Sequence, residues 1–97
     1  MDLSAMMSGI QEKAQSAGAL GKTLKIDFGE KQVYIDGTGE TNTVTESNEE
    51  ADCTIYVTPE NFMALVKGDL NPMMAVMSGK VKIKGDMGVA MKLQSLI

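Results

Sequence analysis

Two stretches of this 97-residue sequence contain residue types that could do catalytic or phosphate-binding chemistry. Residues 16–23 end in Gly-Lys-Thr, as a phosphate-binding loop does, but Ser16 stands where such a loop needs its first glycine. The stretch also precedes a predicted strand instead of following one, so we interpret its glycines as the end of a helix. Cys53 lies on the buried side of an alternating pattern, where burial raises the pKa of a thiol. The sequence has no histidine to activate it, so we interpret Cys53 as a core residue.

The composition weighs against several classes of partner and cofactor. All nine cationic side chains are lysines, the net charge is −4 and aromatic residues are 4% of the chain, which opposes nucleic-acid binding. The acids of residues 46–52 lack the spacing of a calcium loop, and we interpret them as a solvated loop. We therefore expect no cofactor and no metal. A lone cysteine and the lack of a signal peptide or an apolar run of about 18 residues predict a cytoplasmic protein.

Positive charge is concentrated near the end of the chain. Residues 79–97 contain four lysines and one acid, whereas residues 1–78 contain five lysines and twelve acids. Lys80, Lys82 and Lys84 alternate with apolar residues, which is typical of the solvated face of a strand. A second interpretation is transient docking on an anionic membrane surface, to which each lysine contributes about 1 kcal/mol.

Hydrophobic periodicity predicts an α+β fold. Apolar residues at helical spacing start the chain, and alternation then predicts strands at 23–28, 31–36, 41–47, 51–58 and 80–84. The third strand has one apolar residue, so we expect it at an edge of the sheet. Thr58-Pro59 and Asn71-Pro72 are helix starts, and Asp86 is the predicted cap of a last helix. Phe62, Leu65 and Val66 form the predicted buried stripe of the helix that starts at Pro59. This order of elements favours a sheet with its helices on one face. We expect strand five to join after a helical crossover, which permits one parallel pairing there.

Methionine is the most over-represented residue type. Nine residues are methionine, and five of them lie between positions 73 and 91. Because methionine is flexible and polarizable, the pattern is consistent with a loosely specified core or with a cavity that accepts ligands of variable shape. The last helix is apolar on two sides, one with Met87, Met91 and Gln94 and the other with Val89 and two leucines. One side can pack on the sheet, and the other must contact more protein or a ligand.

The second half of the chain resembles the sterol carrier protein 2, or non-specific lipid-transfer, family. The resemblance rests on residues 51–55, on Asn71-Pro72 and most specifically on residues 79–94. It implies a five-stranded, mostly antiparallel sheet with helices covering one face and an apolar tunnel between them. It also implies a single domain over residues 1–97 that binds and transfers fatty acyl chains, acyl-CoA or sterols without catalysis.

The resemblance also implies which residues line the tunnel. The last helix of the family presents side chains to the tunnel, and Met91 and Gln94 occupy the matching positions here, with Met87 one turn earlier. The helix after strand four and the methionine-rich segment would supply other walls. The candidate ligand-binding residues are Phe28, Phe62, Val66, Met74, Met77, Ile83, Met87, Met91 and Gln94.

Two other functions remain open on the sequence. The methionine-rich groove could bind an amphipathic helix of another protein, which would make the chain an interaction module. The chain could also be an auxiliary domain that serves an enzyme on another chain.

Overall fold

The computed structural model describes residues 3–16 and 18–92. Its elements are α1 (Leu3–Ser16), β1 (Thr23–Asp27), β2 (Gln32–Asp36), β3 (Thr43–Glu46), β4 (Cys53–Val57), α2 (Pro59–Lys67), α3 (Pro72–Met77), β5 (Val81–Gly85) and α4 (Met87–Lys92). The predicted elements are all present in the predicted order, with strand ends that differ from the predicted ones by at most two residues. No helix in the described ranges is long and apolar enough to cross a membrane.

The sheet has the strand order β3-β2-β1-β4-β5. The edge position predicted for β3 is confirmed. The parallel pairing predicted for the fifth strand is wrong, because β5 is antiparallel to β4 and the parallel pair is β1 with β4. Val57 at the end of β4 pairs with Val81 at the start of β5, so α2 and α3 return the chain to the end of the sheet that it had just left.

One face of the sheet forms the hydrophobic core. Leu24 and Ile26 on β1 are fully buried, whereas Lys25 between them is only half-buried, as the alternation predicts. The core residues that the helices contribute are Ile10, Ala14, Phe62, Leu65, Ala75, Val89 and Ala90. The helices therefore cover the face on which Leu24 and Ile26 lie.

Cys53 belongs to this core, as predicted. It pairs with Leu24 across the parallel strands and is fully buried. Burial raises the pKa of its thiol, and the charge of Asp86 raises it further. The thiol therefore stays protonated and unreactive at neutral pH.

The helix starts that the sequence predicts are confirmed by their hydrogen bonds. The Thr58 hydroxyl accepts a bond from the backbone N–H of Asn61 at 3.2 Å, and Pro59 begins α2. The Asn71 side chain accepts bonds from two backbone N–H groups of α3. Gly68 ends α2 with a φ of 81°, a conformation that favours glycine.

The connection from β3 to β4 crosses the sheet to the far side of β1. Lys25 donates a hydrogen bond to the Asn48 side chain at 3.0 Å, so the connection runs on the sheet face opposite the core. At its end, the Asp52 carboxylate accepts bonds from the backbone N–H and the hydroxyl of Thr23 at 2.9 and 3.1 Å. The acidic stretch that the sequence marks as a solvated loop therefore also holds the start of β4 against β1.

Asn42 joins α1 to the sheet. Its buried side chain accepts a hydrogen bond from the backbone N–H of Leu20 at 2.9 Å and donates to the carbonyl oxygens of Ala14 and Gly18 at 3.0 and 3.2 Å. Three backbone groups at the end of α1 are thus hydrogen-bonded to the side-chain amide of one residue.

We predict that Asn42→Ala lowers the free energy of unfolding by about 1–3 kcal/mol, because it leaves buried backbone groups without partners. Asn48→Ala is the control, since Asn48 is exposed and bonds a lysine that is accessible to water. Urea unfolding of the two variants should show a loss for Asn42→Ala several times that for Asn48→Ala. Equal losses would contradict the structural role of Asn42.

Asp86 starts α4 and pairs with a lysine from the start of β1. Its Oδ1 accepts bonds from the N–H groups of Gly88 and Val89 at 2.8 and 3.4 Å, which confirms the predicted cap. Its Oδ2 forms an ion pair with Lys22. The hydrogen bond from Lys22 is the main reason why the pKa of Asp86 lies below its ordinary value of 3.8.

We predict that Asp86→Asn is less stable than the parent at neutral pH and that the difference disappears as the pH falls below 3.8. Asparagine keeps the cap but loses the ion pair. A carboxylate with a lowered pKa stabilises the fold above its unfolded pKa and loses that effect as it becomes protonated. Urea unfolding over this pH range measures the effect. Equal stability of Asp86→Asn and the parent at neutral pH would contradict this role of the carboxylate.

Candidate functional site

Two of the predicted site residues are aromatic rings inside the core. Phe28 follows β1 and Phe62 lies on the buried side of α2. Their ring centroids are 5.3 Å apart with an interplanar angle of 82°, an edge-to-face contact. This contact holds α2 against the end of β1.

Val66 on α2 is placed differently from the prediction. The sequence indicates Phe62, Leu65 and Val66 as the buried stripe of this helix, but Val66 is exposed. Met63 is instead partly buried against the core. The contact of α2 with the core thus uses the turn from Phe62 to Leu65, and Val66 lies outside it.

The predicted methionines of α3 and α4 are exposed. Met74 and Met77 on α3 are 59% and 79% exposed, and Met87 and Met91 on α4 are 56% and 71% exposed. We call these four side chains the methionine rim. The described residues of these helices turn few side chains inward, namely Ala75 on α3 and Val89 and Ala90 on α4.

Ile83 lies on β5, the strand that both helices of the methionine rim contact. The strand is an edge of the sheet, and both α3 and α4 contact it. Val81 at its start is buried, whereas Ile83 at its middle is only partly buried against the core. The rim and Ile83 are therefore exposed or partly buried apolar side chains carried by the edge strand and by two helices that contact it.

Contacts at Asp86 and at Lys92 hold α4 in place. Asp86 holds its first turn through the cap and the pair with Lys22, and Lys92 donates a hydrogen bond to the carbonyl oxygen of Leu20 at 2.9 Å. Gly85, just before the helix, has a φ of 106°, and a side chain there would clash with the Asp52 carbonyl oxygen. As predicted, one side of α4 packs on the sheet and Met87 and Met91 point away from it. Gln94 lies outside the described residues.

A second depression, which the sequence did not predict, lies between α1 and β3. It has a volume of about 260 Å³ and is lined by Gln11, Gln15, Asn42, Thr43 and Val44. Its lining is mostly polar, and none of the predicted site residues borders it. Helical spacing indicates only that the two glutamines face water, so the sequence offers no signal for this cleft.

The described residues carry no arrangement suited to catalysis on a metal. Histidine, cysteine, aspartate and glutamate form no group of three or more that could hold an ion within residues 3–16 and 18–92. Cys53 is enclosed in the core, and the charged cluster of Lys22, Asp52 and Asp86 joins strands and a helix. The chemistry that this surface supports is apolar contact.

Comparison with known proteins gives the same fold and a family. The family model described as "SCP-2 sterol transfer family" matches residues 4–97. Sterol carrier protein 2 of Homo sapiens is 47% identical over 58 residues, which cover 60% of this chain and 11% of that protein. Hydroxysteroid dehydrogenase-like protein 2 of Homo sapiens is 44% identical over 52 residues, 54% of this chain and 12% of that protein. The chain therefore spans about a tenth of the length of these relatives.

Solved structures resemble the chain over nearly its whole length. Sterol Carrier Protein 2 Like 2 from Aedes aegypti has a TM-score of 0.78 at 20% identity and covers 98% of this chain and 95% of its own. The UbiJ-SCP2 ubiquinone synthesis protein has a TM-score of 0.72 at 17% identity, with 96% and 90% covered. The palmitated form of the Aedes aegypti protein has a TM-score of 0.65 at 21% identity, with 92% and 91% covered.

These likenesses agree with the observed sheet and with the arrangement of helices on one of its faces. The family model extends over almost every residue, including the first half of the chain, on which the resemblance seen in the sequence does not rest. The chain belongs to the SCP-2 sterol transfer family.

Proposed function

We propose that the chain binds the apolar part of a lipid at the methionine rim and transfers lipids between membranes without catalysing a reaction. The observation that carries this proposal is the rim itself, four large apolar side chains that are 56–79% exposed beside one strand. Exposed apolar surface of this kind marks a ligand-binding or interaction site in a small protein. The binding unit in this proposal is residues 1–97 as a single domain, and its location is the cytoplasm.

The proposed binding mode replaces water around the lipid with apolar side chains. Ile83 forms the floor, the rim closes over the chain from both sides, and Val66 on α2 extends the wall. The rings of Phe28 and Phe62 lie deeper and form the closed end. Because methionine side chains adopt many shapes at little cost, such a site can accept lipids of differing outline.

The ligand class follows from the same chemistry. Fatty acids, acyl-CoA and sterols each present an apolar body and a polar end. In the proposal, the amide of Gln94 binds the polar end, since an amide can both donate and accept hydrogen bonds. The name of the palmitated Aedes aegypti structure supports a fatty acyl chain, and the name of sterol carrier protein 2 supports a sterol.

The energetics fit a carrier. Burying about 16 methylene groups stabilises the complex by up to about 13 kcal/mol, at about 0.8 kcal/mol each. Association costs about 4–15 kcal/mol in lost freedom of motion. At an association cost of about 5 kcal/mol, the difference of about 8 kcal/mol corresponds to micromolar binding, which is tight enough to hold a lipid and loose enough to release it.

We predict that the double variant Met87→Gln and Met91→Gln binds a fluorescent fatty acid about tenfold more weakly, because polar side chains would replace apolar contacts to the ligand. Its thermal unfolding should change little, since both side chains are exposed. Met73→Gln is the matched control: Met73 is 65% exposed on α3 and lies outside the proposed site.

Competition distinguishes a lipid site from a groove for an amphipathic helix. Palmitate should displace the fluorescent fatty acid, and an amphipathic helical peptide should displace it poorly. Displacement by the peptide but not by palmitate would show that the chain is an interaction module and not a lipid carrier. Equal affinity of the rim variant and its control for the fluorescent fatty acid would show that the rim is not part of the lipid site.

We predict that freshly isolated protein carries a lipid. The exposed methionines do not fill the proposed site themselves, so a bound chain would shield Ile83 and the rim from water. Native mass spectrometry should show a second species heavier by one lipid. Only the bare mass, both as isolated and after addition of palmitate, would contradict the proposed function.

A further inference from the structure

The corner where α3 turns into β5 combines exposed apolar and cationic side chains. We call it the α3–β5 edge and define it by Met73, Met74, Met77, Lys80, Lys82 and Lys84. We propose that this edge docks on the surface of anionic membranes and so presents the lipid site to the bilayer. The proposal rests on the proposed function, which supplies the reason for docking. The docking itself is measured independently of lipid binding.

The lysines of this edge have no ion-pair partner among the described residues. Lys80, Lys82 and Lys84 are exposed, whereas Lys22 pairs with Asp86 and Lys31 with Glu46. Alternation along β5 places Lys82 and Lys84 on the sheet face opposite the core. Three unpaired positive charges therefore lie along one edge of a protein whose net charge is negative.

Tyr56 lies beside these lysines. It pairs with Lys82 in the antiparallel register of β4 and β5, so the two side chains share the outer face. Tyr56 is 40% exposed. Tyrosine has an apolar ring and a polar tip, and it is enriched at the level of lipid headgroups for that reason.

Apolar side chains extend from the same corner on the other side of the strand. A tight turn joins α3 to β5, in which the backbone N–H of Lys80 donates to the Ala75 carbonyl oxygen at 2.9 Å. Met73 and Met77 on this helix are 65% and 79% exposed. In the docked state, the methionines enter the boundary of the acyl region while the long lysine side chains reach the headgroups.

The charge of this edge favours an anionic membrane as its binding partner. An anionic lipid surface attracts the unpaired lysines and repels the acidic remainder of the chain, which orients the molecule with this edge toward the bilayer. The methionine rim shares Met74 and Met77 with the edge, so docking brings the opening of the lipid site against the membrane. A lipid can then leave the bilayer without crossing water.

The test uses a fluorescent reporter at the edge. Met73→Cys is labelled with an environment-sensitive dye, and buried Cys53 stays unlabelled in the folded protein. Titration with vesicles of phosphatidylcholine and phosphatidylserine in equal amounts should shift the emission to the blue, whereas vesicles of pure phosphatidylcholine should not. Added salt should weaken the binding, since it screens exposed charges. Equal binding to both kinds of vesicle would overturn the proposal.

A pair of charge variants locates the surface. Lys82→Gln with Lys84→Gln should weaken binding to the mixed vesicles about thirtyfold, because each lysine near an anionic surface contributes about fivefold. Lys25→Gln with Lys31→Gln removes the same charge elsewhere, at lysines already engaged by Asn48 and Glu46. Sedimentation of unlabelled protein with the vesicles measures both variants. Equal weakening by the two variants would show attraction by net charge alone and would overturn the docking edge.

Two further measurements separate this proposal from the proposed function. The variant Lys82→Gln with Lys84→Gln should bind a fluorescent fatty acid in solution as the parent does, which keeps docking distinct from lipid binding. If the parent binds vesicles but no fatty acid, the docking edge stands and the carrier function fails. If an amphipathic helical peptide shifts the dye and the mixed vesicles do not, the edge is a protein-binding surface and the proposal fails.

Discussion

The parallel pairing of β1 with β4 is the constraint on which the rest of the structure depends. Leu24 lies opposite Cys53 and Ile26 lies opposite Ile55, and all four side chains are essentially removed from water. Such a pairing cannot be closed by a tight hairpin, so residues 47–52 must cross the sheet to reach it. It also leaves β5 to occupy the free side of β4, where it becomes an edge. The open apolar surface beside β5 is thus a consequence of how the centre of the sheet is assembled.

The described parts of the helices beside β5 leave that surface open. Within residues 72–77, α3 buries Ala75, and within residues 87–92, α4 buries Val89 and Ala90. The four rim methionines on these helices stay more than half exposed. The buried centre of the sheet thus contrasts with a β5 edge that the described residues cover only in part.

Local signals in the sequence were enough to predict the elements, because those signals act within a few residues. A period of two marks the strands, and Thr58-Pro59, Asn71-Pro72 and Asp86 cap helices whichever way these pack. The partner of each strand is a long-range choice, and for this reason the parallel pair was assigned to the wrong strand. The exposure of Val66 was also missed, since a short helix can satisfy apolar spacing on more than one face. The cleft beside Asn42 depends on the approach of α1 to β3, which periodicity does not encode.

Lys82 and Lys84 have a consequence for how copies of the molecule behave toward one another. An edge strand exposes unpaired backbone groups and is a template for joining the same strand of a second molecule. Antiparallel joining of two β5 strands would bring lysines of both copies onto one face, where their like charges repel. The lysine row therefore opposes growth of the sheet from one molecule into the next at this edge strand.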